Sequence, residues 1–148
     1  MPLPHVMPAQ PLAALIATLL FAVCITGAAS AAEVKWPADD VLRSGMAAIR
    51  RATLDNHTLV THRRMPPASA RTFADHIAKE ADRIKSEADV PADAKPVLDA
   101  LLGDIVAGAE AVAGRREGLT PIDGIVQIDA ALNRYPHHFD DPTWQPLR

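Results

Sequence analysis

The chain has 148 residues and a formal net charge of −3, with 15 Lys and Arg residues against 18 Asp and Glu residues. This mild balance, with both signs interspersed, favours neither nucleic acid nor an anionic membrane surface as a partner. The length suits one domain of ordinary size, and a single cysteine, Cys24, excludes a disulfide framework within the chain.

The first 32 residues contain no Lys, Arg, Asp or Glu, and an apolar run over residues 12–25 leads into a stretch of small residues. This pattern is typical of a secretory signal peptide, and residues 29–31 have the small-x-small form of a cleavage site. We predict a signal peptide over residues 1–31 and a mature domain over residues 32–148, which is periplasmic or secreted and not stably inserted in a membrane. A retained N-terminal anchor is the alternative. Cleavage removes Cys24, which excludes cysteine-bound zinc and covalent haem from the mature domain.

Apolar residues recur at intervals of three and four in four segments of the mature chain, which predicts four helices. Short connections of about 3 to 7 residues favour antiparallel neighbours, so we predict an all-α, antiparallel up-down-up-down four-helix bundle. The predicted helices cover residues 39–64, 68–88, 93–113 and 121–135, and an irregular tail covers residues 136–148.

Capping residues and prolines predict where these helices begin and end. Asp39 or Asp40 suits the first N-terminus, and Asp93 suits the third. The strongest start is Thr120, because proline follows it and an acidic residue lies in the next turn. Pro136 is expected to stop the fourth helix. No period-two pattern is present, so no strand is predicted.

A bundle of this order brings the end of the last helix close to the start of the first. His137 and His138 are therefore expected near Trp36 and Met46, where an imidazole and a thioether can close on a metal or a haem. In this layout the chain resembles the soluble bundle cytochromes of the periplasm, of the b-type and cytochrome c-prime kinds. The resemblance implies noncovalent haem b held by Met46 and one of the two histidines, although Pro136 and the missing cysteine pair depart from the family. The alternative is that Met46 is an ordinary core residue.

Copper is a related alternative cofactor, because thioether and imidazole ligands suit it, and His62 with Met65 offers a second such pair. His57 is five residues from His62 and points elsewhere on the helix, so a hydrogen bond to another helix is its alternative role. His76 and Glu80 are four residues apart on one face and can hold a divalent ion or remain a solvated pair.

Asn56 and Asp129 are polar residues at apolar positions of the first and last helices. Buried polar groups need partners, so we expect them to form a hydrogen bond or arginine pair that fixes helix register. The alternative is that they line a small ligand pocket inside the bundle.

Motifs for catalysis are lacking, since the sequence has no H-E-x-x-H, no G-x-S-x-G and no phosphate-binding loop. We therefore predict an exported, non-catalytic bundle that binds an unknown protein or small molecule, or serves as an accessory factor. The alternative is a haem or copper protein that carries the cofactor or transfers electrons.

Overall fold

Four helices bury their apolar faces against one another, as the three- and four-residue spacing predicts. The computed structural model describes residues 35–147, so the predicted signal peptide lies outside the described residues. The all-α class is confirmed for the described part of the chain. In chain order the elements are β1 (Trp36–Pro37), α1 (Asp40–Thr61), α2 (Pro67–Glu87), α3 (Lys95–Val112), α4 (Pro121–His138) and β2 (Phe139–Asp140).

Contacts between the helices form a closed cycle. Helix α1 packs on α2 and α4, and α3 packs on α2 and α4. The core is therefore built from the inner faces of four helices, and its largest fully buried side chains include Tyr135, Phe139, Leu42 and Met46.

Within residues 35–147, no helix combines the length and hydrophobicity needed to cross a membrane.

Side-chain caps start two of the helices as predicted. Asp39 accepts a hydrogen bond from the amide of Leu42 at 2.7 Å, and its second oxygen accepts one from the amide of Asp89 at 2.8 Å. The Asp39 carboxylate therefore joins the start of α1 to the connection between α2 and α3. At the start of α4, Thr120 and Asp123 form a reciprocal capping box.

The start of α3 differs from the prediction that Asp93 caps it. The residue before the helix is Ala94, which is fully buried and makes no side-chain cap. Its amide donates to the carbonyl of Pro91 at 2.9 Å. Val90 and Ala94 are both buried, so this turn packs against the core. We attribute the start of α3 to this packing, since no side chain caps the helix.

Helix α4 continues through Pro136, so the prediction that this proline ends the helix is wrong. Proline removes one amide donor and crowds the carbonyl four residues earlier, but the helix continues and the Phe139 amide still donates to the carbonyl of Tyr135. Tyr135 and Phe139 stack with their ring centroids 5.4 Å apart and are both buried, which holds the last turn in place. Phe139 then pairs in parallel with Trp36, in a two-residue ladder too short to produce an alternating pattern.

Helices α3 and α4 come into backbone contact at Gly108 and Gly124. A Cβ atom added at Gly108 would lie 2.6 Å from the carbonyl oxygen of Gly124 and 2.7 Å from Cγ1 of Ile128. No side chain fits between the two helices at this point, so the two glycines permit the close crossing.

Candidate functional site

The residues predicted to hold haem lie at the end of the bundle where α1 begins and α4 ends. His138 lies beside Trp36, with ring centroids 6.4 Å apart and ring planes inclined at 29°, as expected from the helix order. Met46 is fully buried in the core, and His137 is exposed. The ligation of haem or copper by Met46, His137 or His138 stays a prediction.

The residues predicted to hold a metal are dispersed. His62 is exposed, with Nδ1 2.9 Å from the carbonyl oxygen of Thr58 on its own helix. Met65 lines a cavity of about 430 Å³ between the end of α1 and the start of α4. Glu80 accepts two hydrogen bonds from Arg83, at 3.0 and 3.1 Å, which occupies one of its oxygens.

No group of three or more His, Cys, Asp or Glu side chains is close enough to hold a metal ion within residues 35–147. His76 is exposed and lines a groove of about 420 Å³ between α1 and α2. Asn56 lines the same groove and donates from Nδ2 to the carbonyl of Ala52 at 2.8 Å. Asn56 therefore bonds its own helix and does not set the register between helices.

His57 and Asp129 connect α1 to α4, with His57 Nε2 3.2 Å from Asp129 Oδ2. A cross-helix contact between the two residues is therefore present, at the place where a hydrogen bond was expected. Burial raises the pKa of Asp129 above its ordinary value, and the neighbouring His57 opposes that shift. The second carboxylate oxygen of Asp129, Oδ1, is buried and has no partner.

Residues 141–147 form a C-terminal strap that crosses the bundle against α1 and α4. Tyr135 anchors it, because its hydroxyl donates to Asp141 at 3.2 Å and its ring meets the ring of Trp144 edge-on, with centroids 4.7 Å apart. Asp141 in turn accepts a hydrogen bond from the amide of Thr143 at 2.9 Å, which closes a local turn. Burial and the nearby Asp141 carboxylate raise the pKa of Tyr135, which keeps its hydroxyl protonated as a donor.

A cavity of about 480 Å³, which we call the strap cavity, lies between α1 and the strap. Its volume falls within the range of roughly 300–1,000 Å³ that is typical of small-molecule sites. A smaller neighbouring cavity of about 200 Å³ contains the His57–Asp129 pair, and Leu54 lines both. The strap cavity is lined by Arg50, Leu54, Trp144, Gln145 and Pro146.

Three buried side-chain polar atoms have no hydrogen-bond partner in the described part of the chain, namely Arg50 Nε, Trp144 Nε1 and Asp129 Oδ1. All three belong to residues that line these two neighbouring cavities. An unsatisfied buried polar group costs about 1–3 kcal/mol, so such groups are rare unless a ligand or ordered water pairs with them. Their concentration in one region marks the strap cavity as the candidate binding site.

Sequence analysis identified Asp129 and His57 but missed Arg50 and Trp144. Arg50 lies beside the apolar face of α1, and an arginine there predicts only a solvated side chain. Trp144 lies in the predicted irregular tail, where no periodicity indicates what its side chain contacts.

No protein-family model, curated protein or solved structure matches this chain.

Proposed function

We propose that this chain is an exported, non-catalytic four-helix bundle that binds a small molecule in the strap cavity. The observation that carries the proposal is the group of unpartnered polar atoms at the strap cavity and its neighbour. A ligand that paired with these atoms would supply hydrogen-bond partners that residues 35–147 do not provide. The strap forms one wall of the cavity, and the hydrogen bond from Tyr135 to Asp141 attaches the strap to α4.

The chemistry of the two donors supports binding without catalysis. The Arg50 guanidinium and the Trp144 indole are both hydrogen-bond donors with no acceptor atom. Both side chains can hold and orient a ligand, but neither is suited to act as a general acid or base.

The up-down-up-down order is supported by the pairing of Trp36, before α1, with Phe139, after α4. An even number of alternating helices places those two positions at one end of the bundle. Export is supported by the uncharged, apolar stretch and the small-residue cleavage pattern in residues 1–31.

The second candidate function is a noncovalent haem or copper protein. One observation favours it: α4 continues through Pro136, so His138 belongs to the helix and lies beside Trp36. A Soret band in the protein purified from its compartment, or uptake of haemin or copper by the colourless protein, would support this function. A colourless protein that takes up neither would leave small-molecule binding as the remaining proposal.

The test of the main proposal fills the strap cavity. Leu54 is 41% exposed and lines both cavities, so Leu54→Trp should occupy the space without disturbing the core. Leu59 on the same helix is 39% exposed and lines neither cavity, which makes Leu59→Trp a matched control.

Thermal unfolding would be followed for the wild type and both variants with sodium octanoate, octan-1-ol and octylammonium chloride as probes. We expect at least one probe to raise the melting temperature of the wild type and of Leu59→Trp, and to leave Leu54→Trp unchanged. A wild type that no probe stabilises, or a Leu54→Trp variant stabilised equally, would overturn the proposal.

A further inference from the structure

The geometry points to a monocarboxylate with an apolar body as the ligand of the strap cavity, with its carboxylate held by the side chains of Arg50 and Trp144. This inference rests on the proposed function and names the chemical class of the ligand. Arg50 Nε and Trp144 Nε1 are buried and lack acceptors among residues 35–147, and both residues line the same cavity of about 480 Å³.

The two unpartnered atoms of the strap cavity are both hydrogen-bond donors. Arginine and tryptophan side chains have no acceptor atom, so the complementary group on the ligand must accept from both. An ammonium or a guanidinium group offers only donors and would leave both protein atoms unsatisfied. An oxygen-bearing group therefore matches the donors, and a carboxylate presents two oxygens at once.

Charge favours an anion over a neutral acceptor. Arg50 forms no salt bridge with any residue in the range 35–147, whereas its neighbour Arg51 lies 3.9 Å from Asp55. Among residues 35–147, the hydrogen bond that the Arg50 side chain donates runs from Nη2 to the carbonyl of Pro146 at 3.5 Å, the limit of a hydrogen bond. A ligand with one negative charge would pair with this guanidinium in a partly desolvated site, where such pairs are stronger than in water.

Apart from the Gln145 side chain, the remaining wall of the strap cavity is suited to hydrocarbon. Leu54 and Pro146 supply aliphatic surface, and the ring of Trp144 supplies aromatic surface. With one cation and mostly apolar surroundings, the cavity matches a singly charged acid with an apolar chain or ring. A small polyanion would leave charge uncompensated among these groups.

Isothermal calorimetry on the full mature protein would compare three probes of equal chain length: sodium octanoate, octan-1-ol and octylammonium chloride. We expect octanoate to bind about tenfold or more tightly than octan-1-ol, because a charge-assisted hydrogen bond contributes more than a neutral one. Octylammonium should bind weakest. Equal binding of octanoate and octan-1-ol, or tighter binding of octylammonium, would overturn the carboxylate inference and leave the binding function standing.

Variants assign the carboxylate to its donors. Arg50→Gln should weaken octanoate binding about tenfold or more and leave octan-1-ol binding unchanged. Arg51→Gln removes the same charge from the adjacent, exposed position and should leave both probes unchanged. Equal effects of the two substitutions would show that only the general positive charge of α1 attracts the probe, which would contradict the inference.

Trp144→Phe keeps an aromatic ring against Tyr135 and removes the indole N–H. We expect it to weaken octanoate binding more than octan-1-ol binding, and circular dichroism would verify that the variant folds. Loss of both probes to the same degree would assign Trp144 to packing alone. If no probe binds the wild type, the inference and the proposed function fall together.

Discussion

A Gly→Ala substitution is expected to change the free energy of unfolding in opposite directions at two positions of α3, because one of them lies where α3 crosses α4. Gly103 and Gly108 both lie within α3, and Gly→Ala in a helix interior ordinarily stabilises by about 0.5–1 kcal/mol. A Cβ atom at Gly103 meets nothing within 4 Å. At Gly108 it would lie 2.6 Å from a backbone oxygen of α4, which cannot rotate away as a side chain can.

The magnitude follows from these distances. Ordinary contact begins near 3.4 Å, so Gly108→Ala requires the helices to separate by most of 1 Å or the backbone to bend. Overpacking of this kind costs about 1–3 kcal/mol. We therefore expect Gly108→Ala to lower the free energy of unfolding by about 1–3 kcal/mol. Gly103→Ala should raise it by up to about 1 kcal/mol.

Urea denaturation followed by far-UV circular dichroism measures both values, and each kcal/mol corresponds to roughly 4 °C in melting temperature for a domain of this size. Gly124→Ala, on the facing helix, should behave like Gly108→Ala, because its Cβ would lie 2.8 Å from the amide nitrogen of Val112. A Gly108→Ala variant as stable as Gly103→Ala would refute the close crossing.

Three further predictions concern the helix start, the buried carboxylate and the core methionine. Thr120→Ala removes the capping box of α4 and should lower the free energy of unfolding by about 0.5–2 kcal/mol in urea denaturation, and an unchanged value would contradict the cap. Because burial raises the pKa of Asp129, the folded state binds its proton more readily than the unfolded state. The contribution of Asp129 to the free energy of unfolding is therefore fully present below the pKa of the unfolded state. It is lost as the pH rises through the raised pKa of the folded state. Asp129→Asn should flatten that part of the stability–pH curve, and a curve parallel to the wild type would contradict the assignment. Met46→Ala should lower the free energy of unfolding by about 2–5 kcal/mol because Met46 is fully buried, and on the haem alternative it should also abolish the Soret band.

The helices could be predicted from the sequence because each is buried on one side. A one-sided helix imposes the three- and four-residue spacing directly, as the positions of Leu42, Met46 and Ile49 show. The helix starts at Asp39 and Thr120 could also be predicted. In each case the capping side chain bonds an amide only three residues further along the chain.

Features that depend on tertiary contacts could not be predicted from the sequence. Pro136 has the local properties of a helix stop, yet stacking of Tyr135 on Phe139 carries the helix past it. Asp93 is a good cap by composition, yet burial of Ala94 moves the start of α3. In both cases packing outweighs a local preference of a few kcal/mol or less.

The candidate site was predicted only in part, and the reason is again physical. Asp129 was recognisable because a charged residue at an apolar position of a helix is unusual. The unpartnered state of Arg50 Nε and Trp144 Nε1 arises only when the strap folds back over α1. No local pattern in either segment carries that information.

The most direct test of the strap cavity is nuclear magnetic resonance of the two indole N–H groups, because the chain has 2 tryptophans. On addition of sodium octanoate, the Trp144 indole proton should move downfield and exchange more slowly with solvent as it gains an acceptor. The Trp36 indole proton should stay unchanged. An unchanged Trp144 signal at saturating octanoate, or equal movement of both signals, would contradict the account.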